Sequence, residues 1–213
     1  MIVNKINIRI MGMFLKVYII KYERRKVLKN KKLLIVIIII LIVFVFLACF
    51  KDKILKIIYP KTFKEYVTIY AEEYNVDENL IYALMKAESN FKSEAVSNRG
   101  AIGVMQLMEE TAVDVANKAG IELDKSNLQE ELLKPEVNIR IGTSYIKTLL
   151  DEYENKEVAL AAYNAGIGTV NNWIEEGTIK DDGSDIENIP YKETNQYVRK
   201  ILRDYKIYEE LYG

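Results

Sequence analysis

The sequence predicts a mainly α-helical domain standing behind one long apolar helix. Three observations carry this. Leu33 to Phe50 reads LLIVIIIILIVFVFLACF, about 18 apolar residues without a charge, which is near the minimum for spanning a bilayer. After residue 60, apolar side chains recur at three- and four-residue spacing in one segment after another, and no stretch alternates with period two. In 213 residues there are 15 Tyr and only 3 Pro, which suits helices joined by short loops better than a many-turned β fold.

The N-terminal region divides by charge. Residues 1–50 hold ten Lys or Arg and one acid, Glu23, whereas 51–213 hold 20 basic and 30 acidic residues, so a net charge of −1 hides two opposed halves. Lys21, Arg24, Arg25, Lys26, Lys29, Lys31 and Lys32 precede the apolar run. The positive-inside bias therefore assigns 1–32 to the cytoplasm as a basic segment, 33–50 to a transmembrane or signal-anchor helix, 51–62 to a connector and 63–213 to an exported domain. A cleaved signal peptide is an alternative, although the apolar run is long and lacks a clear A-x-A end. Phe46-Leu47-Ala48-Cys49 also resembles a lipoprotein cleavage box, with Phe46 unusual where Leu is expected. A buried core helix is disfavoured because Ile and Val line every face beside a strongly basic flank.

The exported domain reads as a series of helices. Phe63, Tyr66, Val67, Tyr70 and Tyr74 mark the first, broken at Asn75-Val76-Asp77. Asp77 is a candidate N-cap for the second, whose inward face is Leu80, Leu84 and Ala87. Residues 92–104 read as an irregular loop. A short helix over 111–119 closes at Gly120, and 121–134 is ambiguous. Pro135 suits the first turn of a helix faced by Val137, Ile141, Tyr145 and Leu149. Helices over 157–164 and 168–175 follow, the second with the single Trp173. Residues 177–190 form a polar loop, and Tyr197, Val198, Ile201, Leu202, Tyr205 and Tyr208 define the last helix.

Composition excludes several chemistries. There is no His and one Cys, so Ser-His-Asp, Cys-His and His-metal sites are ruled out, as are an internal disulfide and a Cys metal cluster. No metal or cofactor is expected. The acidic domain is a poor nucleic-acid binder. General acid–base work falls to Asp, Glu, Lys or Tyr. Glu88 is the leading candidate, because it continues the apolar face of Leu80 and Leu84, where desolvation favours a protonated carboxyl. On position alone, an inert Glu at the rim of the core is the commoner case.

The loop after Glu88 alters that balance. Glu88-Ser89 is followed by Ser97-Asn98-Arg99-Gly100 and by Gly103-Val104-Met105-Gln106-Leu107-Met108. Then come Asn138-Ile139 with Ile141-Gly142-Thr143-Ser144-Tyr145, next Ala162-Tyr163-Asn164-Ala165-Gly166, and last Ile189-Pro190-Tyr191-Lys192-Glu193-Thr194 with Tyr197-Val198. These ordered blocks resemble the catalytic domain of soluble lytic transglycosylases, in the lysozyme-like superfamily, over about residues 65–208. Val104 replaces the family's Leu, and Glu109 stands where the family commonly has Pro, which should affect the start of the following helix more than the chemistry.

The resemblance implies a lysozyme-like helical domain that cuts peptidoglycan glycan strands at the outer face of a bacterial membrane. It implies Glu88 as the single catalytic acid and then base, giving 1,6-anhydromuramoyl ends. It implies that Ser97, Gln106, Met108, Tyr163, Asn164, Glu193 and Tyr197 contact the substrate. Core packing is the bland account of Tyr163 and Tyr197, and helix-start charge that of Glu193. Two other functions remain: a hydrolytic muramidase like goose-type lysozyme, needing a positioned water and normally a second acid, and an inactive peptidoglycan-binding module of an envelope assembly whose partner proteins are unknown.

Overall fold

The structure is a computed structural model that describes residues 2–213; the side chains of 2–15, 19, 22–30 and 48 lie outside the described set. That set leaves out Arg24, Arg25, Lys26 and Lys29 of the basic flank and Ala48 of the Cys49 box. The chain forms two compact units, 1–55 and 56–213.

The first unit is the greater portion of α1 (Ile2–Ile58). The helix runs on past the apolar stretch into the segment expected to be a connector, because Lys51, Asp52 and Lys53 interrupt hydropathy without breaking the helix. From Leu33 to Leu47 every side chain is exposed, each at least 46% accessible. Water is a poor solvent for such a surface. Among the described residues no single helix is long and apolar enough to cross a membrane; Lys31–Leu47 and Cys49–Ile58 pass that test only together, as a pair bent by 57°.

The second unit is all helical: α2 (Lys64–Tyr74), α3 (Glu78–Glu88), α4 (Glu109–Ala119), α5 (Leu128–Leu133), α6 (Pro135–Glu152), α7 (Lys156–Ala165), α8 (Ile167–Glu175) and α9 (Lys192–Tyr212). The ambiguous stretch before Pro135 is a 3-10 turn at Lys125–Asn127 followed by the six-residue α5, both too short to show a period. Among the described residues extended pairing is confined to isolated bridges joining Val96, Ile102 and Leu107.

Helix α3 is the centre of this unit. Leu80 to Met85 are all buried, so the helix is covered on every side, chiefly by α9. Asp77 caps it by accepting the Asn79 N–H at 2.8 Å. Helix α6 packs on α2 and α7, with Pro135 in its first turn. Asn155 caps α7 by accepting the N–H groups of Glu157 and Val158. Helix α4 begins at Glu109, where the family would place Pro, and carries Glu109 and Glu110 in its first turn, where the helix dipole favours acids.

Helix α9 also clasps the start of this unit. Tyr208 donates to the Pro60 carbonyl at 3.1 Å and Tyr212 to the Tyr59 carbonyl at 2.8 Å, while the Tyr59 hydroxyl donates to buried Asp204 at 3.1 Å.

Candidate active site

Glu88 is the last residue of α3, where the buried helix emerges from the core. Ser89 ends the helix and donates from its hydroxyl to the Val104 carbonyl at 2.8 Å, tying the helix end to the loop that returns past it. The next two residues, Asn90 and Phe91, adopt left-handed backbone at φ 52° and 66°, which turns the chain sharply away from the helix axis.

The returning loop is held from below by α6. Asn138 is fully buried, accepts the Met105 N–H at 2.7 Å and donates to the carbonyls of Ile102 at 2.9 Å and Leu132 at 2.8 Å. One side-chain amide thus bonds three backbone groups, and it is the partner of the Met105 N–H and the Leu132 carbonyl, while the Ile102 carbonyl also accepts the Leu107 N–H at 2.9 Å. Gly103 permits this approach. Its φ is 81°, and a Cβ there would run into the Asn138 amide and the Leu132 carbonyl. Gly142, a single turn further along α6, is needed for a similar reason, since a Cβ there would meet the Met105 side chain. The middle sequence block is therefore a support for the loop.

Above this support, one cavity of about 370 Å³ is lined by Glu88, Ser97, Asn98, Arg99, Ala101, Gln106, Met108, Tyr163, Asn164 and Glu193. Seven of the eight residues proposed from sequence come together here. The eighth, Tyr197, is absent from the lining; it stands beside Glu88 and donates its hydroxyl to the carboxylate Oε1. Lys200, one turn along α9, donates to the Ala87 carbonyl at 3.1 Å. Tyr163 reaches over from α7 to donate to the Met105 carbonyl at 2.9 Å, and Asn164 accepts from Thr194 at 2.8 Å. Gln106, at φ 49°, donates to the carbonyls of Ala95 at 3.1 Å and Gly103 at 2.9 Å. The site is thus built by α3, the 97–108 loop, α7 and the start of α9.

The electrostatics follow from burial. Protein atoms crowd the Glu88 carboxyl, although it keeps an opening onto the cavity, and this burial pushes its pKa up to about 7; the Tyr197 hydrogen bond and the Lys200 charge pull in the opposite direction. Burial first, then the neighbouring Glu88 carboxylate, hold the phenols of Tyr163 and Tyr197 well above their usual value, so both remain neutral donors. Glu193 is the other carboxylate of the lining. It is 76% exposed and pairs with Arg99 at 3.9 Å.

Two further cavities share lining residues with it. A smaller one of about 240 Å³ shares Gln106, Met108, Tyr163 and Asn164 with it, and one of about 580 Å³ shares Met108. Met108 borders all three. Among the described residues no group of His, Cys, Asp and Glu is arranged to hold a metal ion.

Sequence reasoning missed Arg99 as a lining residue and both contacts to the Glu88 region from α9. Arg99 stood in a quoted block without a role, and the α9 contacts join residues more than a hundred positions apart.

Comparison with known proteins agrees with the geometry. The family model of the transglycosylase SLT domain matches residues 65–186. A soluble lytic murein transglycosylase of Salmonella typhimurium is 32% identical over 157 residues, covering 73% of this chain and 24% of its own. A membrane-bound lytic murein transglycosylase C of Edwardsiella ictaluri is 38% identical over 109 residues, covering 47% and 30%. Among solved structures, an inactive Glu→Gln mutant of lytic transglycosylase Slt from Pseudomonas aeruginosa superposes with a TM-score of 0.66 at 34% identity, covering 74% of this chain and 25% of that one. The chain spans about a quarter of the length of the soluble relatives it matches. With the family model covering more than half of its residues, the chain belongs to the transglycosylase SLT domain family.

Proposed function

We propose that the protein is a peptidoglycan lytic transglycosylase in which Glu88 serves as acid and then as base. The observation that carries this is a single crowded carboxyl, Glu88, opening on a polar cleft whose other acid, Glu193, is exposed and engaged by Arg99. A group poised near neutrality can give and recover a proton in one cycle. Protonated Glu88 donates to the glycosidic oxygen between N-acetylmuramic acid and N-acetylglucosamine, and the bond to muramoyl C1 breaks. The resulting carboxylate takes the proton of the muramoyl C6 hydroxyl, whose oxygen closes on C1. The nucleophile belongs to the same sugar and needs no capture from solution. No water is added, and the product carries a 1,6-anhydro ring. The Pseudomonas aeruginosa relative that is inactive with one Glu→Gln change is in keeping with a single essential Glu.

In this scheme Ser97, Gln106, Met108, Asn164 and Glu193 contact the glycan. Tyr163 closes the cleft over the Met105 carbonyl, and Tyr197 orients Glu88. Mass spectrometry of purified peptidoglycan digested by the full chain is the test. Anhydro ends are expected; reducing ends, one water heavier, would overturn the scheme in favour of hydrolysis.

The pH profile should report Glu88. Chemistry starts from the protonated acid, so the rate holds below about pH 7 and falls above it. Tyr197→Phe removes a hydrogen bond that favours the carboxylate, and the alkaline limb should therefore move to higher pH by several tenths of a unit. A limb that stays in place, or moves down, would sever Tyr197 from the titration.

We further propose that α1 tethers the enzyme to the membrane through 33–50, leaving residues from about 51 onward outside. The apolar, exposed surface of Leu33 to Leu47 supports this. The full chain should resist alkaline carbonate extraction from membranes. Cys49→Ser should leave lipid labelling unchanged if the helix itself is the anchor, whereas loss of label would assign the anchor to Cys49.

A further inference from the structure

The turn over residues 97–101 carries a cation to the mouth of the Glu88 cavity. Ser97 Oγ accepts the backbone N–H groups of Arg99 at 3.3 Å and Ala101 at 2.9 Å. The Ser97 N–H donates to the Ala101 carbonyl at 2.8 Å, and the Gly100 N–H to the Ser97 carbonyl at 2.9 Å. Four hydrogen bonds within five residues fix the backbone, so the placement of Arg99 is set before its side chain makes any contact.

Among the described residues lining that cavity, Arg99 is the sole Lys or Arg. Its partner Glu193 faces it from the first turn of α9 at 3.9 Å, and the two side chains are 85% and 76% exposed. A pair so open and so loose adds almost nothing to stability. The planar guanidinium keeps a fork that fits two carboxylate oxygens at closer range. The surroundings make this cation conspicuous. Residues 51–213 carry 20 basic and 30 acidic side chains, so the unit repels anions in general while offering one cation at the working cleft.

We infer that Arg99 is a specificity-determining residue that reads a carboxylate on the peptide arm of the glycan, with Glu193 as the carboxylate it releases. The inference rests on the transglycosylase reading. A plain amino-sugar polymer has no group for Arg99, whereas the muramoyl sugars of peptidoglycan carry peptide arms with free carboxylates. Glu193 occupies the guanidinium while the cleft is empty, and exchange is inexpensive because both partners are already solvated. The choice of polymer is thus made at the cleft mouth, away from the proton transfer at Glu88.

The test compares two linear glycan preparations, one with free peptide-arm carboxylates and one with those carboxylates converted to amides, digested by the full chain in mild detergent. The parent should favour the free-carboxylate strands in kcat/KM by about fivefold, as one added exposed charge-assisted contact implies. Arg99→Gln should bring the ratio to about one, Arg99→Lys should keep some of it, and Glu193→Gln should raise it by removing the competing carboxylate. A parent without preference, or an Arg99→Gln variant that keeps the parent's ratio, overturns the assignment. Anhydro ends from the parent on both preparations show that such a failure belongs to Arg99 alone; no anhydro ends on either would overturn the transglycosylase reading itself.

Discussion

Glu88→Gln is expected to cut the formation of anhydro ends by about a thousandfold or more while the fold is retained. The magnitude follows from the proposed role of Glu88 in both giving and taking the proton, since positioned acid–base groups commonly contribute between about a hundredfold and ten-thousandfold. Gln keeps the shape and can still accept from Tyr197, so the cleft should keep its geometry. The same variant should change how stability depends on pH. Burial raises the Glu88 pKa from 4.5 to about 7, so the folded state holds a proton that the unfolded chain releases above about pH 4.5. That contribution is complete below about 4.5 and is lost as pH rises through about 7. Gln does not titrate. The variant should therefore gain on the parent by about 3 kcal/mol between pH 4.5 and 8. Urea unfolding at both pH values measures this; a constant difference would mean that Glu88 is solvated in the folded protein.

Asn138→Ala should be the most damaging substitution outside the cleft. It strands the Met105 N–H and the Leu132 carbonyl and takes one of two donors from the Ile102 carbonyl, which keeps the Leu107 N–H at 2.9 Å. Orphaned buried backbone groups cost about 1–3 kcal/mol each, less where water can enter, so a loss of about 2–4 kcal/mol is expected for the two. Activity should fall with it, because Gln106 and Met108 sit on the loop that Asn138 holds. Asn138→Asp should be nearly as harmful, since a carboxylate accepts from Met105 but donates to neither carbonyl. A urea midpoint shifted by less than the equivalent of about 1 kcal/mol would show that the loop is held by other means.

The helical fold and most of the cleft were legible in the sequence because both are written locally. The faces of α3, α6 and α9 repeat at helical spacing, and Asp77, Gly120 and Pro135 mark helix ends where expected. Glu88 through Met108 lie within about one loop's length, so their blocks announce one site. What was not legible depends on tertiary approach. Nothing near Tyr197 in sequence reveals that its hydroxyl meets Glu88, 109 positions away. Asn138 was visible within a block, but its task required knowing that Gly103 leaves room for its amide. The extension of α1 to Ile58 was hidden because charged residues there end the apolar run without ending the helix.

Helix α9 has one more consequence, a mechanical one. Its last turns grip Tyr59 and Pro60, while its first half stands beside Glu88 through Tyr197 and Lys200. Any pull applied through residue 58 is therefore received by the far end of a rigid rod of 21 residues. If α1 holds the chain as proposed, strain arriving at residue 58 meets the end of α9 remote from Tyr197 and Lys200 before it can reach Glu88.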